Sequence, residues 1–294
     1  MISLQTNVTS LFAQEQLNQN NNFESNTIQQ LTSGYRINNA GDDAAGLAVA
    51  NQLQANVAEL QQGVINASNG TSTLQIIDGG LSNISNLLDR LQTLATESAS
   101  GTFEGSRVTL NNEFQSVLGE ITRQAGNIGL ASGGTTSNTG TIGSSQYNTA
   151  ALNIFIGGGD TGNANDAQVT VDLTNGGAGG VTVTGVDSTG LGLSTSDVTT
   201  APDATAALAA VQTAISDLGS VQGAVGAGEN LLNYATSLAN SQITNLTASE
   251  SSIKDANIAA EASNLAKAQT LQQSSIAALA QANSMPEAIL KLLQ

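Results

Sequence analysis

Apolar residues recur along this chain at helical spacing, and four stretches carry the pattern. Near the end, Leu271, Ser275, Ala278, Ala282, Met285, Ile289 and Leu292 follow one another in alternating steps of four and three, the seam of a helix that packs on other helices. The middle of that stripe, Ser275, Ala278 and Ala282, is small. Small side chains let helix backbones approach closely, but burial releases only about 0.8 kcal/mol per methylene, so such a helix needs partners along its whole length. At the start, Leu4, Val8 and Leu11 form one stripe, and Ile28, Leu31 and Tyr35 form another. Residues 1–35 therefore read as helix, weakened at Asn18–Asn22 (NQNNN), where poor helix formers interrupt the apolar row. The two chain ends are expected to meet each other and to meet further copies.

The longest pattern runs from Ala44 to about Ser100. Leu53, Leu60, Ala67, Leu74, Leu81, Leu88 and Ala95 fall on one seven-residue series, with Val57, Val64, Ile77, Ile84 and Leu91 between them; this predicts a coiled-coil-like segment. A shift at Asp78-Gly79-Gly80 predicts a local irregularity. A shorter helix over residues 103–130, with Leu110, Phe114, Val117, Leu118 and Ile121, is expected to fold back on it. Across residues 131–200 the period changes to two. Leu152, Ile154 and Ile156 alternate, as do Val169, Val171 and Leu173, and Val181 and Val183 follow Asn175-Gly176-Gly177; these read as short strands in hairpins. From Ala204 the helical period returns and lasts to the end, with Val211, Leu218, Val225, Leu232, Ala239, Leu246, Ile253 and Ala260 on one series. The expected fold is mainly α: a long antiparallel helical bundle formed by both chain ends, with a small central β-hairpin region.

Composition narrows the chemistry. Cysteine and histidine are absent from the 294 residues, which excludes disulfides, thiol catalysis, Cys/His zinc sites and histidine-based triads. No cofactor is expected and no enzyme activity. Aromatics are only 3% and tryptophan is absent, so the core must be aliphatic. The net charge is −16, with no basic residue between Arg123 and Lys254; nucleic acid needs clustered Lys and Arg and is excluded as a partner. No apolar run reaches the length of a membrane span. The opening residues, MISLQTNVTSLFAQEQ, lack the basic start and apolar run of a cleaved secretory signal. That fits a cytoplasmic protein or one exported by a route that reads something else.

Two acidic motifs remain. Asp42 and Asp43 follow the turn Ser33-Gly34-Tyr35-Arg36-Ile37-Asn38-Asn39. Adjacent carboxylates at a helix start rarely face one substrate, so helix capping and ion pairing with Arg36 are expected rather than catalysis. Whether Arg36, Asp42 and Asp43 form a solvated turn or a polar clamp joining subunits is open at this level. The Asp160–Asp166 stretch (DTGNAND) fails the EF-hand pattern, because Gly162 and Ala164 stand at ligand positions and no Glu closes the loop. No metal is expected.

The segments SGYRINNAGDDAAGLAVANQL, from Ser33, and NLAKAQTLQQSSIAALAQANSMPEAILKLL, from Asn264, resemble the N- and C-terminal signatures of bacterial flagellins. LNIFIGGGDTGNANDAQVTVDL, from Leu152, resembles that family's outer hairpin. The resemblance implies an inner-tube helix over residues 1–40. It implies outer-tube helices over 41–203, with the hairpin region at 131–200, an outer-tube long helix over 204–255, and a C-terminal inner-tube helix over 256–294. It further implies a minimal member of the family, a secreted, extracellular subunit of the flagellar filament that serves motility. Such a subunit is exported unfolded through the flagellar type III channel and folds at the filament tip. Its implied partners are further copies of itself, the filament cap and hook–filament junction proteins, an export chaperone and a host innate immune receptor. Leu4, Val8, Leu11, Leu265, Ile276, Leu279, Leu290 and Leu293 are the expected polymerisation contacts. Arg90, Leu94 and Glu113 match the family's receptor patch, with Gln92 in place of a flanking basic residue. A hook–filament junction protein, or an adhesin binding through residues 131–200, are the alternatives.

Overall fold

The computed structural model describes residues 7–132, 151–157, 167–173 and 185–292, with side chains as far as Met285. Five helices and one hairpin occupy them, in the order α1 (Val8–Ser33), α2 (Ala44–Ala99), α3 (Arg107–Asn127), β1 (Leu152–Phe155), β2 (Gln168–Val171), α4 (Ala201–Lys254) and α5 (Ile258–Leu292). The chain forms two compact units, one from residues 1–57 and 244–294 and the other from residues 58–243. Both boundaries fall inside a long helix. The predicted class holds: helices dominate, the chain ends pack together, and the sheet has two strands.

In the second unit the heptad series of α2 becomes the core. Leu60, Ala67, Leu74, Leu81, Leu88 and Ala95 are all buried, as are Ile77, Ile84 and Leu91 between them. Val211, Leu218, Val225, Leu232 and Ala239 do the same for α4. The two helices run antiparallel, and glycines show how closely. A Cβ at Gly70 would lie 3.3 Å from Leu232, and one at Gly228 would lie 3.2 Å from Leu74. From α3, Phe114, Leu118 and Ile121 add their faces to this core.

Glycines also seat the hairpin. β1 and β2 pair antiparallel with Leu152 opposite Val171 and Phe155 opposite Gln168. Alternation buries Ile154 and Ile156 on one side. That side lies on α2, where Gly63 and Gly70 leave no side chain in the way. A Cβ at Gly63 would sit 1.7 Å from the Ile156 carbonyl oxygen, and one at Gly70 would sit 2.3 Å from Ile154 Cδ1. Between them Asn66 Nδ2 donates to the Phe155 carbonyl at 3.0 Å. The third expected strand, with Val181 and Val183, lies outside the described residues, as does the Asp160–Asp166 turn. Residues 185–200 form turns rather than strands. They are held by Val186 N–H to the Leu130 carbonyl (2.9 Å) and by Ser98 Oγ to the Val198 carbonyl (2.6 Å).

Three local expectations are corrected. α2 passes through Asp78-Gly79-Gly80 without a break; Gly80 is instead a notch, where a Cβ would meet Ile128 at 2.3 Å. α1 runs unbroken through Asn18–Asn22, and within that run Asn20 and Asn21 have partners on α5. The series Leu246, Ile253, Ala260 does not run through one helix. α4 ends at Lys254, and Asn257 Oδ1 caps a new helix by accepting the Ala260 N–H at 3.2 Å. Ala260 is exposed.

The glycine notches make opposite forecasts within one helix. Gly63→Ala should push the hairpin off α2 and cost about 1–3 kcal/mol. Gly79→Ala, with nothing within 4 Å of its Cβ, should be neutral or stabilising by up to about 1 kcal/mol. Thermal unfolding of the two variants followed by circular dichroism checks this; equal midpoints would refute it.

Candidate assembly surface

In the first unit α1 and α5 pack against each other, and the pair has almost no interior. Thr27 is the buried residue of α1, and among the described side chains of α5 Ala268 and Ala282 are buried. Thr27 satisfies its hydroxyl on its own helix, at the Phe23 carbonyl. The larger apolar side chains lie outside. Val8 is 65% exposed, Leu11 56%, Phe12 66% and Ile276 53%. A groove beside the seam is lined by Phe12, Ala13, Leu271, Ser275, Ala278 and Ala282, with Thr9, Gln16 and Asn20 along α1. Two helices with so little mutual burial do not hold together on apolar contact alone.

Polar side chains bridge the seam instead. Asn7 Nδ2 donates to the Ala282 carbonyl at 2.8 Å, and Ser10 Oγ donates to Asn283 Oδ1 at 2.7 Å. Asn20 Nδ2 donates to Ser275 Oγ at 2.7 Å, and Gln272 Nε2 donates to Asn21 Oδ1 at 2.9 Å. Numbers rise along α1 as they fall along α5, so the helices are antiparallel. Sequence reading missed this ladder. The NQNNN run was its signal, read only as weak helix.

The ladder ends at a clamp. Gly34 closes α1 with φ 75°, a conformation that favours glycine, and its N–H returns to the Gln30 carbonyl. The next residues pair with the α4–α5 junction. Arg36 N–H donates to the Lys254 carbonyl at 2.7 Å, and Ala256 N–H donates to the Gly34 carbonyl at 2.8 Å. Arg36 Nη2 also donates to the Ile253 carbonyl at 2.8 Å, satisfying an end carbonyl of α4. Lys254 Nζ stands 4.6 Å from the centre of the Tyr35 ring and 3.8 Å from Glu250.

The two aspartates divide their roles. Asp43 Oδ1 accepts the Gly46 N–H at 2.8 Å, at the start of α2, and Asp43 lies 4.0 Å from Arg36. Asp42 Oδ2 accepts the N–H groups of Asn38 and Asn39, each at 2.9 Å. The Asn39 N–H first, and the Asn38 N–H second, hold its pKa below the ordinary carboxylate value. Arg36, Asp42 and Asp43 thus meet around one turn.

The remaining expected residues fall as follows. Leu265 and Leu279 are half-buried. Leu4 and Leu293 lie outside the described residues, and Leu290 lies beyond the described side chains. In the second unit Arg90 Nε donates to Glu113 Oε1 at 2.9 Å, while Leu94 is buried. Among the described residues no group of three or more acidic side chains could hold a metal ion, and no helix is long and apolar enough to cross a membrane.

Residues 4–128 match the family model of the bacterial flagellin N-terminal helical region, and residues 208–293 match that of the bacterial flagellin C-terminal helical region. The chain is 34% identical to the flagellin of Listeria innocua, with 99% of each chain covered. It is 30% identical to flagellin FlaB1 of Treponema pallidum, with 98% of each covered. A solved structure described as a flagellar hook-associated protein of Vibrio parahaemolyticus shares the fold, with TM-score 0.51 at 14% identity, over 73% of this chain and 100% of that one.

The Asp42 turn gives a test with a defined sign. A carboxylate held below its ordinary pKa contributes fully above that value and is lost only as pH falls through the lowered one. Amide protection factors at Asn38 and Asn39 should therefore hold from neutral pH down to about 4 and fall below it. Asp42→Ala should lower them by about tenfold at neutral pH and make little difference once the wild-type carboxyl is protonated. Protection unaffected by the substitution would remove Asp42 from this role.

Proposed function

The chain belongs to the bacterial flagellin family, and from that premise we propose that it is the repeating structural subunit of an extracellular flagellar filament that serves motility, exported unfolded through the flagellar type III channel and folded as it joins the tip. The observation that carries this reading is the α1–α5 pair. It buries Thr27, Ala268 and Ala282 and leaves Val8, Leu11, Phe12 and Ile276 in water. Ordering a residue opposes folding by roughly 1–2 kcal/mol of backbone entropy, and so thin a seam does not offset that over two long helices. Neighbouring copies do. An open-ended polymer needs one face to meet a different face on the next copy, and both helices have an outward apolar face left to give. Leu4, Val8, Leu11, Leu265, Ile276, Leu279, Leu290 and Leu293 are the proposed contacts.

The partners follow from the same reading: copies of itself, the cap under which it folds, the junction proteins at the filament base and a chaperone that keeps it exportable. A role as an immune-receptor ligand would have to work with Arg90 and Glu113 already closed on each other and Leu94 buried. The function proposed is mechanical, not catalytic.

Hydrogen exchange on free chain and polymer tests the coupling of order to assembly. Amides of α1 and α5 should exchange fast in the monomer and at least about tenfold more slowly in the polymer, while those of α2 from Leu60 onward are protected in both. A fully protected α5 in the free chain would contradict the reading. Ile276→Asp should raise the concentration needed for polymerisation by about 100-fold, because a buried unpaired carboxylate is costly. Sedimentation with negative-stain imaging reads this, and filaments at the normal concentration would remove Ile276 from the interface.

A further inference from the structure

The seam between α1 and α5 repeats. Its buried positions on α5 are Ala268 and Ala282, with half-buried Ser275 midway, one small residue every seven. Sliding α5 by one heptad along α1 would replace small with small and leave the apolar packing nearly unchanged. The clamp fixes one end only. Roughly 40 Å of helix separates Asp255 from Asn283, and over that length the clamp alone does not hold the far ends in phase.

The polar bridges are not degenerate. A shift of seven in either direction would place Ser10 opposite Ile276 or Leu290 instead of Asn283. It would place Asn21 opposite Leu265 or Leu279 instead of Gln272, and Asn20 opposite Ala268 or Ala282 instead of Ser275. Every side-chain partner would become apolar. Asn7 does not discriminate, because its acceptor is a backbone carbonyl. We infer that Ser10, Asn20 and Asn21 on α1, with Asn283, Ser275 and Gln272 on α5, set the register in which the two chain ends pair, while the apolar contacts of the same seam leave that register undetermined. Polar groups at helix seams specify register at some loss of stability. Here each slipped state both breaks hydrogen bonds and leaves the freed groups facing leucine, isoleucine or alanine. The inference concerns pairing within one chain and stands whether or not the chain forms filaments.

The absence of cysteine makes register directly readable. Ser10→Cys with Asn283→Cys reports the observed register; Ser10→Cys with Ile276→Cys, or with Leu290→Cys, reports the two slipped ones. Oxidation is followed in full-length chains diluted into excess cysteine-free protein, so that only cross-links within one chain count, in both the soluble and the pelleted fraction. The in-register pair should close at least about tenfold faster than either slipped pair. Adding Asn20→Leu and Asn21→Leu should cut that preference to about threefold or less, since leucine at 21 now matches Leu265 or Leu279 in a slipped state. The exchange Asn21→Gln with Gln272→Asn keeps the bridge and should restore the preference. The inference is overturned if slipped and in-register pairs close equally fast with Asn20, Asn21, Ser275 and Gln272 in place, or if the leucine variant keeps the full preference. Should the leucine variant lose its helicity, the native comparison and the exchange variant still decide.

Discussion

The structure depends on how little apolar surface α1 and α5 bury against each other. Their seam is built from Thr27, Ala268 and Ala282, so the pair lacks the interior that holds the second unit together. There, Leu74, Leu81, Leu88, Leu218 and Leu232 are sealed from water. One chain therefore carries a self-sufficient helical core and a pair of ends that is not self-sufficient. For a filament subunit that contrast is useful. On the proposed reading the core would stand before assembly and the ends would gain their environment from the next copy, so that order and polymerisation would be one event.

Polar contacts take over where apolar ones are thin. Along the seam they are side-chain amides and hydroxyls; at the clamp they are backbone pairs and the Arg36 guanidinium on the end of α4. Each contributes only about 1 kcal/mol net, but they are directional. Contacts between alanines say where a helix can lie; the amides say which residue must face which.

Much of this was legible in the sequence. Seven-residue spacing located α2 and α4 and named buried residues in each, such as Leu74, Leu81 and Leu88, because such a series stays on one side of a helix whatever it meets; Leu53, Val57, Val64, Leu246 and Ile253 of the same series are only half-buried. The period of two located β1 and β2 through Ile154, Ile156, Val169 and Val171. Glycine was less readable. Gly79 and Gly80 look alike in sequence, yet one faces open space and the other receives Ile128, and only the path of the chain after α3 distinguishes them. The Asn18–Asn22 run was misread for a related reason. Helix propensity describes a residue's own backbone, and Asn20 and Asn21 are stabilised by a helix some 250 positions away. In the clamp, the capping role of Asp43 was legible from its position before α2, but the carbonyl that receives the Arg36 guanidinium was not, since nothing in the sequence links residue 36 to residue 253.

The side-chain bridges between α1 and α5 contain no titratable group. Protons and dissolved ions act on charge, and here they find none to neutralise or screen. A structure trailing into brackish, acidic or fresh surroundings would keep that bonding pattern in all of them, while the chain's net charge of −16, carried elsewhere, would feel every change of salinity.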